Sequence, residues 1–299
     1  MSRTGDMPAA PAGAALRAGA EALAAPYPPL LAAAERLAAA VQLGAHGRRR
    51  AGMGDEFWQY RAAHAGDSAR AIDWRRSARS DAHFVREREW QAAQSVTLWV
   101  DTGRAMSFAS DGRPEKGARA RLLALALAIL LLEAGERVGL AGALAPGRGR
   151  GQMARLAEAL ARPGTTDERG ALRLDGVARH SQAVLLSDFL GDLAPLEQAL
   201  AAASRRRVRG ALMQVLDPAE ETFPFAGRVI FESMAGALSH ETLSAGDLAT
   251  RYRERLRARK ERLFHLAETA GWRHHCHHTG TSAAPALMWL ARVLEPAPR

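Results

Sequence analysis

The stretch "SVTLWVDTGRAMSF", residues 95–108, runs from a near-continuous block of strand-forming residues into Asp101 and then into a turn of small residues. An apolar strand of this kind, without polar alternation, is buried on both faces, as in a parallel sheet. Working outward, the same unit recurs. "EKGARARLLALALAILLLEAG" reads as a long helix, "RVGLAGAL" as a second strand and "GQMARLAEALARPG" as a shorter helix. "QAVLLSDF" is a third strand, "LAPLEQALAAASRR" a helix and "RGALMQVLD" a fourth strand. "GRVIFES", flanked by loops, is expected as a fifth strand on an antiparallel edge. A helix over 247–270, a last strand in "GWRHHCHH" and a helix over 283–294 close the chain. Strands and helices in alternation predict an α/β fold: a doubly wound, Rossmann-like, mainly parallel sheet with helices on both faces. Such sheets carry their sites at the carboxyl ends of the strands, near the switch in strand order. Asp101 and Asp188 end the first and third strands and are expected on one rim.

The 299 residues, 47% of them hydrophobic, suffice for a core of ordinary size. Cys276 is the single cysteine, which excludes an intramolecular disulfide and fits a reducing compartment. The net charge of +9 would suit nucleic acid. However, only Lys116 and Lys260 among the 41 basic residues are lysines, a bias in which arginine fills positions needing only a solvated cation. Nucleic-acid binding through the arginine surface is therefore a rival reading, not the leading one. The first residues lack the apolar core of a signal peptide, and the most apolar run, 122–132, falls short of the about 20 residues of a membrane span. A cytoplasmic protein with no membrane span is expected.

The amino-terminal third divides into a disordered start (1–12), helices over 13–25 and 28–43 (segment 13–47), and a segment over 48–94. The remainder, 95–299, is the alternating domain. The segment contains "GDEFWQYRAAHAGDSARAIDWRRSARSDAHFVREREW". Its Gly54, Glu56 and Phe57, then Arg61, Gly66, Asp67, Arg70, Ile72, Asp73, Trp74, Ser77, Ala78 and Arg79 resemble the domain-of-unknown-function family 58. The alternating domain behind it resembles the von Willebrand factor A-type domain that accompanies this motif, over about residues 50–295 in all. On physical grounds Trp74 is large enough to anchor the segment against a sheet. Arg61, Arg70 and Arg79 stand against Asp67 and Asp73 as an ion-pair lattice. "HFVREREW" alternates with period two and is charged on both faces, which places it in peripheral β-structure.

A-type domains commonly hold Mg²⁺ through an Asp-x-Ser-x-Ser turn, a threonine and a second aspartate. The resemblance implies Asp101, Thr165 or Thr166, and Asp188 for these roles. Gly103 and Ala105 stand at the two serine positions and carry no side-chain oxygen, whereas Mg²⁺ demands oxygen ligands. Arg104 adds a guanidinium in the same turn. The site is read as degenerate and without cofactor, with Arg104 neutralising Asp101 or Asp188 in the cation's stead. In "HHCHH" (274–278), residues two apart share a strand face, which rarely makes a zinc site unaided. No nucleophile elbow, Walker loop or dinucleotide fingerprint is present. The sequence thus points to a non-enzymatic adaptor or scaffold whose partner-binding rim is Asp101, Arg104 and Asp188. The resemblance implies a MoxR-type AAA+ ATPase as partner. A metal-dependent hydrolase using Asp101 and Asp188 is the alternative.

Overall fold

The computed structural model describes residues 27–45, 57–63, 72–78, 83–88, 94–162, 164, 167, 169–174, 176–225, 227–232, 234, 239–242 and 245–295. The chain forms two compact units, residues 45–93 and residues 1–44 with 94–299. The sequence-read helix at 13–25 lies outside the described residues, and the second is α1, Tyr27–Ala45.

In the smaller unit, β1 (Phe57–Ala62) pairs antiparallel with β2 (Phe84–Arg88) as a two-stranded sheet of its own. Between them lies the one-turn helix α2 (Trp74–Ser77). Ser77 is buried; its hydroxyl donates to the Asp73 carbonyl at 2.8 Å and accepts from the Phe84 amide at 2.9 Å. Trp74 corrects the expectation of a buried anchor. It is 56% exposed and meets His83 edge-on with ring centroids 5.4 Å apart. A single helical turn has little inward surface, and Ser77 takes it. Asp67, Arg70, Arg79 and the Arg61 side chain lie outside the described residues, so the proposed lattice does too.

The larger unit continues with β3 (Ser95–Val100), α3 (Lys116–Glu133), β4 (Arg137–Leu140), β5 (Leu144–Gly147) and α4 (Gly149–Ala161). Then follow β6 (Gln182–Ser187), α5 (Ala194–Arg205), β7 (Arg209–Leu216) and α6 (Pro218–Thr222). The chain closes with β8 (Val229–Glu232), β9 (Ser239–Thr242), α7 (Ala245–Thr269), β10 (Arg273–His278) and α8 (Ala284–Leu294). The six-stranded sheet runs β10-β7-β6-β3-β4-β5, parallel except for β5. Counted within the sheet this is the doubly wound Rossmann order 3-2-1-4-5-6, with the switch point between β3 and β6.

The period-two geometry of strands divides the core. Val96, Leu98, Val100, Val184, Leu186, Met213 and Val215 face α3, α4 and α8, where Ala34, Ala38 and Val41 of α1 also pack. Trp99, Ala183, Leu185 and Leu212 face the other way, against Leu196 and Leu200 of α5 and Leu263 and Ala267 of α7. Helix α3 is buried without a break from Leu123 to Ile129, which is why its sequence shows no polar stripe there.

The antiparallel edge is not where the sequence placed it. "RVIFES" contributes β8, which pairs with β9 in a separate hairpin. The edge is β5, made by "RVGLAGAL" turning back on itself at Gly142, whose φ of 74° suits glycine. Gly139 allows the return strand to close: a Cβ there would lie 2.7 Å from the Leu144 carbonyl oxygen.

Gly210 is as constrained, since a Cβ would lie 1.7 Å from the backbone oxygen of Ala183, its partner on β6. Gly210→Ala should lower stability by about 1–3 kcal/mol or more by forcing β6 and β7 apart. Urea unfolding measures this, and an unchanged midpoint would contradict so close an approach.

Candidate functional site

The carboxyl ends of β3 and β6 meet at the switch point, and both aspartates expected there are present and buried. Asp101 is 3% exposed and Asp188 fully buried. Asp101 is directed inward. Its Oδ1 accepts from the amides of Gly103 at 2.8 Å and Gly170 at 2.7 Å, and its Oδ2 from the Ser187 hydroxyl at 2.7 Å. One carboxylate thus gathers the turn after β3, the 170 loop and the last residue of β6. Gly170 is required at this approach, because a Cβ would lie 2.8 Å from Asp101 Oδ1.

Asp188 is held by two cations. Lys116 Nζ donates to its Oδ2 at 2.8 Å, and Arg169 Nη1 donates to both oxygens at 2.8 Å. The Leu190 amide also donates to Oδ1, at 3.0 Å. Lys116 opens α3 with 1% exposure and donates its other contact to Glu220 Oε1 at 2.5 Å. Glu220 is fixed by a capping box on α6. The Asp217 side chain accepts from the Ala219 amide at 2.8 Å, and Glu220 Oε2 from the Asp217 amide at 2.9 Å. Asp217 Oδ2 further accepts from the Ser110 amide at 3.0 Å and the Thr279 hydroxyl at 3.3 Å. The loop before α3, the start of α6 and the end of β10 are thereby tied to one lattice.

Charges so deeply placed keep their ionised forms only through one another. Burial pulls Lys116 toward neutrality, but Asp188 and Glu220 outweigh it and its pKa is raised. Burial likewise pushes Asp188 up, yet Lys116 and then Arg169 bring it below its ordinary value of 3.8. Glu220 ends raised, its burial exceeding the pull of Lys116. The stability contributed by Asp188 is full above 3.8 and is lost as pH falls through its lowered folded value. That of Lys116 is full below 10.5 and lost as pH rises through its raised value.

Arg104 does not play the part read for it. It is exposed, its guanidinium pairs with neither aspartate, and its amide donates to the Asp167 carbonyl at 2.8 Å. Lys116 and Arg169 carry the charge instead. Thr165 and Thr166 lie outside the described residues. A divalent cation does not fit the donors that are described. Three donors already converge on Asp101, and an ammonium stands 2.8 Å from the Asp188 oxygen a metal would need. Asp101, Thr102, Met106, Glu115, Arg121 and Arg162 are among the residues lining an open cleft of ≈ 240 Å³.

Residues 59–263 match the family model described as "Protein of unknown function DUF58". The chain belongs to this family. No curated protein matches it. Among solved structures it is similar to the conserved hypothetical protein BatB of Bacteroides thetaiotaomicron, at 15% identity and a TM-score of 0.38, covering 68% of this chain and 98% of that one. It is also similar to an aerotolerance-related membrane protein of Bacteroides fragilis bearing multiple mutations to serine, at 15% identity and a TM-score of 0.39 with the same coverages. In this DUF58 chain, no described helix is long and apolar enough to cross a membrane.

Sequence reasoning located Asp101 and Asp188 but missed their partners. Two signals were available. One was the near absence of lysine, which makes each lysine a position where arginine does not serve. The other was "DPAE", residues 217–220, a capping-box pattern straight after a buried strand. Arg169 and Ser187 carried no comparable sign.

Lys116→Met should destabilise the fold by about 3–5 kcal/mol, because it leaves Glu220 buried without a cation and Asp188 with Arg169 alone. Adding Asp188→Asn should recover part of that loss, since the two effects are coupled. Denaturant midpoints of the single and double variants decide it: strict additivity would mean the pair is not coupled.

Proposed function

We propose that this DUF58 protein is a non-enzymatic, A-type interaction module. Its rim receives an acidic group of a partner protein, and the partner class is a MoxR-type AAA+ ATPase. The observation that carries the reading is that Asp188 and Glu220 are neutralised by Lys116 and Arg169, while Asp101 is held by two amides and the Ser187 hydroxyl. Each carboxylate expected to do chemistry is buried and already hydrogen-bonded, so neither is poised as a metal ligand or general base. What the rim offers to solvent is loop surface: exposed Thr102, Arg104 and Ser107 beside the small polar cleft. Loops at strand carboxyl ends are the ready concavity of doubly wound sheets. An exposed guanidinium there can take a carboxylate in two-point geometry. The partner class rests on the family resemblance. Asp101 and Asp188 contribute to binding by shaping the loops, and Arg104 by contact.

Two measurements test this. Saturating Mg²⁺ or Mn²⁺ should leave the melting temperature unchanged, because only a ligand of the folded state raises it. A reproducible rise of several degrees that disappears in Asp101→Ala would defeat the metal-free rim.

Arg104→Glu presents a like charge to the partner's carboxylate from an exposed position. Recovery of a MoxR-type ATPase in pull-down should therefore drop sharply, with the melting temperature within a degree or so of wild type. Equal recovery by both proteins would place the interface away from this rim.

A further inference from the structure

The second lysine leads to a different place. Glu221 follows Glu220 on α6, and its carboxylate lies against Lys260 of α7 and His278 of β10. The Glu221 Oε2 to His278 Nε2 distance is 2.7 Å, and Cys276 Sγ is 3.9 Å from the same ring nitrogen. The three donor atoms of Glu221, Cys276 and His278 lie within 4.8 Å of one another. We propose that they form a zinc site.

Three features carry the assignment. First, the sulfur and the carboxylate converge on one nitrogen, Nε2. A catalytic triad would instead place the acid on the far ring nitrogen, Nδ1, so the arrangement suits a shared cation and not a relay. Second, zinc bonded to sulfur at about 2.3 Å and to nitrogen or oxygen at about 2.0–2.2 Å sets its ligands roughly 3.4–3.6 Å apart. The thiol and the carboxylate straddle that spacing and need move by less than about 1 Å. Third, an ammonium already sits on Glu221, as a cation stand-in. Unlike Lys116, Lys260 is 27% exposed at its side chain and can turn its four-carbon arm to water. His274, two residues back on the same strand face, keeps a buried Nε2 without a hydrogen-bond partner, so this face is not satisfied by the described residues alone.

On binding, neutral His278 Nε2, the Glu221 carboxylate and the Cys276 thiolate each donate an electron pair. The thiol proton is released to solvent, Lys260 leaves still protonated, and a water completes the tetrahedron. Because Glu220 and Glu221 are consecutive on a five-residue helix, zinc would brace α6 from a second direction, beside its contact with Lys116.

The test is titration of the full chain with Co²⁺, followed by the thiolate-to-cobalt charge-transfer band, then competition by Zn²⁺. One equivalent should develop the band and Zn²⁺ should erase it. Cys276→Ser should abolish it, Glu221→Gln should weaken binding about tenfold or more, and Lys260→Met, which removes the competing ammonium, should tighten it. Absence of the band in both wild type and Lys260→Met would overturn the site. So would unchanged affinity in Glu221→Gln.

Discussion

Lys116 remains charged with 1% of its surface in contact with solvent, and the switch point is organised around that fact. Removing an ammonium and a carboxylate from water carries a penalty of several kcal/mol for each ion. It is offset here because the two most deeply buried charges each have more than one partner: Asp188 has two cations and an amide, Lys116 two carboxylates. The lattice also reaches beyond the rim. Through Glu220 it fixes α6, and through Asp217 the loop at Ser110 and the turn at Thr279. Loss of one member would leave its neighbours buried and unpaired, so the loops of the rim are held as a set.

The same arrangement separates what is structural from what is presented outward. Carboxylates at strand ends could have pointed into a cleft, where they would recruit metal or activate water. Here Asp101 is turned into the protein by backbone amides of its own turn and of the 170 loop, and Asp188 by side-chain cations. The two lysines illustrate the distinction. Lys116 is enclosed and functions as part of the fold, while Lys260 is partly exposed and pairs with Glu221.

Most of the fold could be read from local pattern. Apolar strands such as "SVTLWV" and "QAVLLS" and the uniform "LLALALAILLL" have one physically sensible location each, and they occupy it. The errors arose where the pattern was short. "RVGLAGAL" reads as one strand because glycine carries no hydropathy signal for a turn, and Trp74 reads as an anchor because size alone does not specify burial. At the site, Asp101 and Asp188 were legible because strand ends are predictable positions. Lys116, Arg169 and Glu220 approach from distant parts of the chain, and only three-dimensional packing brings them to Asp188. "HHCHH" alone places too few ligands on one strand face for a metal; that Glu221 lies beside Cys276 and His278 is visible only in three dimensions, because it comes from another element.

The hairpin at the sheet margin has a consequence for assembly. β5 has four residues and includes Pro146, which carries no amide hydrogen, so it makes a poor template for an added strand. At this margin the sheet ends by construction, and neighbouring molecules cannot readily lengthen it into a shared ladder. Association on that side of the protein therefore depends on side chains and loops, whose chemistry can discriminate between partners, and not on backbone pairing, which accepts almost any extended chain.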